Sequence, residues 1–96
     1  MFQKFTMRKL IDPFTINLPH LDLHGETSDT IFYLIYSFIK DNYLLGNNKI
    51  IIIHGRSGGV LKKETQVILK NNKLVKNHYI DALNDGQTIV EIDIKK

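Results

Sequence analysis

Cysteine is absent from this chain of 96 residues. Its absence excludes a disulfide framework, thiolate metal sites and a cysteine nucleophile. No apolar run approaches the roughly 20 residues that a membrane span needs. The longest apolar-rich segment, residues 31–39, contains Tyr33, Tyr36 and Ser37 and is followed at once by Lys40 and Asp41. The opening residues, MFQKFTMRKLIDPF, carry scattered charges rather than the uninterrupted apolar block of a signal peptide. The expectation is a soluble cytoplasmic protein with no membrane partner. Proline is scarce, and both copies, Pro13 and Pro19, fall early. Residues 1–19 read as an extension in which Phe2, Phe5, Leu10, Ile11, Phe14 and Ile16 follow no helical or strand period. Such an arm is expected to pack on the domain, residues 20–96, or on a partner.

What is present suits one small globular domain: 43% apolar and 24% charged residues. That size excludes a full dinucleotide-binding fold or a solenoid of several repeats. The net charge of +3 is unevenly spread. Between positions 49 and 76 stand Lys49, Arg56, Lys62, Lys63, Lys70, Lys73 and Lys76, opposed only by Glu64. Residues 77–94 hold Asp81, Asp85, Glu91 and Asp93 with no lysine or arginine. A local basic block suits a polyanionic partner better than a uniformly basic surface would. A solvated helix face explains the charge equally well, so it settles nothing alone.

Periodicity sets the elements. Residues 20–24 alternate as a strand, with Leu21 and Leu23 on one side and His20, Asp22 and His24 on the other. Gly25 ends it. Thr27 is a good N-cap, and Asp29 complements the dipole of the helix that follows. The expected buried stripe is Ile31, Leu34, Ile35, Phe38, Ile39, Asn42 and Leu45. The run Gly46-Asn47-Asn48 stops the helix. Residues 49–53, with four successive isoleucines, read as an internal strand covered on both faces. A second helix is expected over 60–71, with Leu61, Thr65, Ile68 and Leu69 inward and Lys62, Lys63, Gln66 and Lys70 outward. A third strand is expected over 75–82, a hairpin turn at Asn84-Asp85-Gly86, and a last strand over 88–94. The order βαβαββ predicts a two-layer α/β sandwich, a mixed four-stranded sheet with two helices on one face.

The chemistry gathers at strand ends. Two strands end in the same dipeptide, His24-Gly25 and His54-Gly55. If they are neighbours, both imidazoles occupy the binding crevice at the C-terminal edge of the sheet. Asp22 shares a face with His24 and could orient that ring or help bind a metal. The candidate catalytic residues are therefore Asp22, His24 and His54. In the following loop Arg56 supplies a forked cation, while Gly55, Ser57, Gly58 and Gly59 let backbone N–H groups approach a phosphate at a helix N-terminus. Lys62 and Lys63 occupy the first helical turn, where acidic residues are favoured, and so argue for an anionic ligand. His20 and His78 have no such context and read as incidental. Phe32 and Tyr36 could mark a partner surface on the first helix.

Three blocks, Leu21-Asp22-Leu23-His24-Gly25, the run from Ile53 to Lys62, and Gly86-Gln87-Thr88-Ile89-Val90-Glu91-Ile92, resemble the Smr (small MutS-related) domain family in its LDLHG, HGxGxGxL and GxTxVxL signatures. The resemblance covers positions 21 to 92. It implies the same βαβαββ sandwich and endonucleolytic activity, either nicking of DNA or cleavage of RNA, in some members on ribosomes. By motif, Asp22 and His24 would lead the catalysis, His54, Gly55 and Arg56 would line the nucleic-acid site, and Gly59 would shape the loop. On chemical grounds RNA cleavage needs no cofactor, whereas a divalent cation, Mg²⁺ or Mn²⁺, could take part if DNA were the substrate. The family's loop usually has glycine where this chain has Ser57. A left-handed backbone there would strain the serine.

Overall fold

A computed structural model describes residues 17–56 and 59–94. Its elements run β1 (His20–Asp22), α1 (Ser28–Leu45), β2 (Lys49–Ile53), α2 (Val60–Lys70), β3 (Val75–Asp81) and β4 (Asn84–Ile92). The sheet order is β1-β2-β4-β3. β1 and β2 are parallel, while β4 pairs antiparallel with both β2 and β3. The expected mixed α/β sandwich is what forms. No helix among the described residues is long and apolar enough to cross a membrane.

Burial follows the two periods. Ile31, Ile35 and Ile39 of α1 and Leu69 of α2 meet Ile50, Ile52, Val90 and Ile92 of the sheet, with Leu23 closing the cluster. Ile51 is also buried, at 3% exposure, which explains why the isoleucine run shows no alternation. The arm expected to pack on the domain or on a partner lies outside the described residues up to position 16. Its last residue, Pro19, accepts the Ile51 N–H through its carbonyl at 2.9 Å. Asn42 is buried at no hydrogen-bonding loss, since its amide donates to the Phe38 carbonyl and accepts from the Asn47 side chain, both at 2.9 Å.

Three local expectations are corrected. Leu45 is 73% exposed, because the stripe ends at Asn42 and Gly46 turns the chain away in a left-handed conformation. Gln66 does not face outward but reaches the sheet, where Thr88 Oγ1 accepts its amide N–H at 2.9 Å. The hairpin closes before Asn84-Asp85-Gly86, at Ala82-Leu83, because the Asp81 carboxylate accepts the Leu83 N–H at 2.9 Å and tightens the turn there. Asn84, Asp85 and Gly86 belong to an irregular start of β4, where the register with β3 shifts.

Candidate nucleic-acid cleavage site

The parallel register places Asp22 opposite Ile53, so both His-Gly dipeptides leave the sheet side by side. Asp22, His24, Ile53, His54 and Gly55 line one open pocket of about 260 Å³. Gly25 and Gly55 take φ values of 82° and 95°. A Cβ on either would meet nothing within 4 Å, so the demand for glycine comes from the backbone and not from crowding.

The two histidines differ. His24 is exposed, and its backbone N–H donates to Asp22 Oδ1 at 2.9 Å. Asp22 therefore fixes the turn that carries His24 by holding the main chain. His54 is 8% exposed. Its Nδ1 lies 3.0 Å from the Gly55 carbonyl oxygen and its Nε2 lies 2.8 Å from Thr88 Oγ1. Burial pushes this imidazole below its ordinary pKa; the bond to Gly55 opposes that, Lys62 reinforces it and Asp85 opposes it.

β4 seats the second loop. The Gly86 carbonyl accepts the N–H groups of both His54 and Gly55 at 2.9 Å. Arg56 Nε lies 3.3 Å from Asp85 Oδ1 in an exposed ion pair. A Cβ on Gly86 would come within 3.0 Å of Arg56 Cγ and 3.3 Å of its backbone nitrogen, so glycine relieves a tight approach here. The Asn-Asp-Gly run read as a turn is thus a seat for the loop. Ser57 and Gly58 lie outside the described residues. Gly59 is the N-cap of α2, in an extended conformation with no side-chain cap bond, and the first turn holds no acidic residue. Lys63 is exposed there and Lys62 half-buried.

Asp22, His24, His54 and Gly55 thus converge on one pocket, with Arg56 one residue beyond. Among the described residues no three His, Asp or Glu side chains group as a metal-holding set. Sequence reasoning gave no role to Gln66, Asp85, Thr88 or His78. Only Thr88 had a signal, as a polar residue on the buried face of β4 inside a motif block. Phe32 and Tyr36 stack 6.1 Å apart beside a separate groove of about 560 Å³, which shares no lining residue with the pocket.

The Smr domain family model matches residues 21–93. A stretch of 77 residues is 40% identical to endonuclease MutS2 of Caldanaerobacter subterraneus, covering 77% of this chain and 10% of that protein. Endonuclease MutS2 of a Geobacillus species is 38% identical over 72 residues, 75% of this chain and 9% of that one. The chain therefore spans about a tenth of the length of these curated relatives. Among solved structures, the Smr domain of Thermus thermophilus MutS2 superposes with a TM-score of 0.75 at 20% identity, covering 79% of this chain and 99% of that one. YdaL, a stand-alone small MutS-related protein of Escherichia coli, gives 0.71 at 17% identity, covering 76% and 63%. At these identities the two structures speak for the fold.

Proposed function

The chain belongs to the Smr domain family, and from that premise we propose that it is a nucleic-acid phosphodiesterase acting at the β1–β2 edge, with RNA as its polymer. The observation that carries the reading is the convergence of Asp22, His24, His54 and Gly55 on one pocket beside Arg56. The relatives named endonuclease support the reaction class.

RNA brings its own nucleophile. In the proposed reaction the exposed His24 imidazole takes the 2′-hydroxyl proton while the 2′-oxygen bonds to phosphorus. The bond from phosphorus to the 5′-oxygen breaks, and that oxygen takes a proton back from the imidazolium. The products are a 2′,3′-cyclic phosphate and a 5′-hydroxyl. Asp22 holds the turn that aims His24. Arg56 and the N–H groups at the start of α2 would face the charge that develops on the phosphate oxygens. Lys62, Lys63, Lys70 and Lys73 extend a basic track for structured RNA, ribosomal RNA included, and the proposed setting is the cytoplasm. DNA would require water as nucleophile. Among the described residues Asp22 is the only carboxylate lining the pocket, a donor set that does not fit a hydrolytic Mg²⁺ or Mn²⁺ ion.

The test is cleavage of end-labelled single-stranded RNA, structured RNA and supercoiled DNA, each with Mg²⁺, Mn²⁺ or EDTA. The comparison protein is the Asp22→Ala/His24→Ala double variant. RNA cutting that survives EDTA and is lost in the variant, with binding retained, is the expected result. Binding without cutting by either protein overturns the enzyme and leaves a nucleic-acid or ribosome docking module.

A further inference from the structure

We propose that His54 is a positioning residue and not a proton carrier, held as its neutral Nδ1–H tautomer by a polar relay through Thr88 and Gln66 to His78. Only its service to cleavage rests on the phosphodiesterase reading; the relay stands on geometry alone.

The relay lies in the layer between α2 and the sheet. Thr88 pairs with Ile52, and His78 with Val90, so both project from the face that carries the core. Gln66 reaches them from α2. Its Oε1 lies 3.2 Å from His78 Nδ1, and its Nε2 lies 2.9 Å from Thr88 Oγ1 and 3.3 Å from the Lys62 carbonyl oxygen. Thr88 Oγ1 in turn lies 2.8 Å from His54 Nε2, and His54 Nδ1 lies 3.0 Å from the Gly55 carbonyl oxygen.

Two backbone carbonyls, which only accept, fix every direction in between. The Lys62 carbonyl requires the amide nitrogen of Gln66 on its side, so that nitrogen donates to Thr88. The Gly55 carbonyl requires a proton on His54 Nδ1. A neutral ring then has a bare Nε2, and the Thr88 hydroxyl, having accepted from Gln66, donates its one proton there. His78 Nδ1 completes the chain by donating to Gln66 Oε1. Both nitrogens of His54 are engaged, while His24 keeps an exposed ring.

This arrangement gives His54 a task. Its ring holds the Gly55 carbonyl while Gly86 holds the N–H groups of His54 and Gly55. Both ends of the Gly55 residue are tied down, and Arg56 follows directly. Among the described residues the charged or titratable groups around His54 are Lys62 on α2, Asp85 on β4 with its partner Arg56, and Asp22 and His24 beside it in the pocket, with His78 on β3 reached through Gln66.

Gln66→Glu reverses the relay. A carboxylate cannot donate, so the Thr88 hydroxyl turns to it and its oxygen must instead accept a proton from His54 Nε2. The experiment is ¹⁵N NMR of the histidine rings across a pH titration of the whole chain. The unaltered protein is expected to show His54 protonated at Nδ1 and bare at Nε2 at neutral pH. Gln66→Glu should raise the His54 midpoint by about one unit, the size usual for one nearby opposite charge. Thr88→Ser should keep the original tautomer and titration, whereas Thr88→Val should not. A His54 protonated at Nε2 in the unaltered protein overturns the relay without any variant. An unchanged His54 titration in Gln66→Glu overturns it too. If the spectra behave as expected and cleavage slows in kcat with KM unchanged, relay and reaction both stand. If they behave so and no RNA is cut, the relay stands and the phosphodiesterase reading falls.

Discussion

Two identical dipeptides end neighbouring parallel strands, and the fold treats them in opposite ways. His24-Gly25 is an exposed turn tied by one main-chain bond to Asp22. His54-Gly55 is buried at its imidazole, bonded through both ring nitrogens and clamped from β4 through Gly86. The difference comes from strand order. Among the described residues β1 is the edge strand, while β2 lies inside the sheet against β4. Residue type and spacing are the same in the two places; the neighbours decide which imidazole meets solvent.

The largest test of this contrast is removal of each ring. His24→Ala should lower RNA cleavage by about 10²–10⁴-fold, the usual contribution of an acid–base group, and leave the melting temperature nearly unchanged. Single-turnover rates beside a thermal melt would show both. On the other side, Thr88→Val leaves His54 Nε2 without its donor in a buried place and should destabilise the fold by about 1–3 kcal/mol. Thr88→Ser should recover most of that loss in chemical denaturation. The glycines offer a matched pair. Gly25→Ala and Gly55→Ala each force an L-residue into a left-handed conformation, costing about 1–2 kcal/mol. The stability losses should be alike, because neither Cβ meets a neighbour, and a clear inequality would show one loop relaxing.

The buried imidazole of His54 also ties stability to pH. The folded pKa of His54 is depressed, so the unfolded chain binds its proton first as the pH falls. Its linked stability is fully present above the unfolded value of about 6.5 and is lost as pH falls from there through the lower folded value. His54→Asn should flatten that part of the stability profile, read by urea melts at successive pH values. The smallest expected effect lies at the rim. Asp85 competes with phosphate for Arg56, and the pair is exposed, so it is worth about 0.2–1 kcal/mol. Asp85→Asn should tighten RNA binding a few-fold with no loss of stability, read by fluorescence anisotropy at fixed salt.

Much of this was legible in the sequence. The helical stripe, the isoleucine run and the paired His-Gly ends gave the element order, the sandwich and the edge where Asp22 and His24 meet. What escaped depends on partners distant in the chain. Gln66 looked like a solvated helix residue because its reason for turning inward, Thr88, lies 22 residues away. His78 had no local mark for the same reason. Asn84-Asp85-Gly86 carries a strong turn signature, but Asp81 closes the hairpin earlier, and the loop after β2 claims the Gly86 carbonyl. Periodicity reads faces well and reads polar bonds across layers poorly.

The sheet order carries a consequence for assembly. Among the described residues β4 follows β3 in sequence, yet it lies between β2 and β3. β3 and β4 meet locally across Ala82-Leu83, whereas β4 reaches β2 from far along the chain, a pairing with the larger loop-closure cost. Without that β2–β4 pairing neither the Gly86 clamp nor the Thr88 link exists. The pocket's second wall therefore depends on the non-local β2–β4 pairing, and a chain lacking it would hold the exposed His24 turn without the clamped loop beside it.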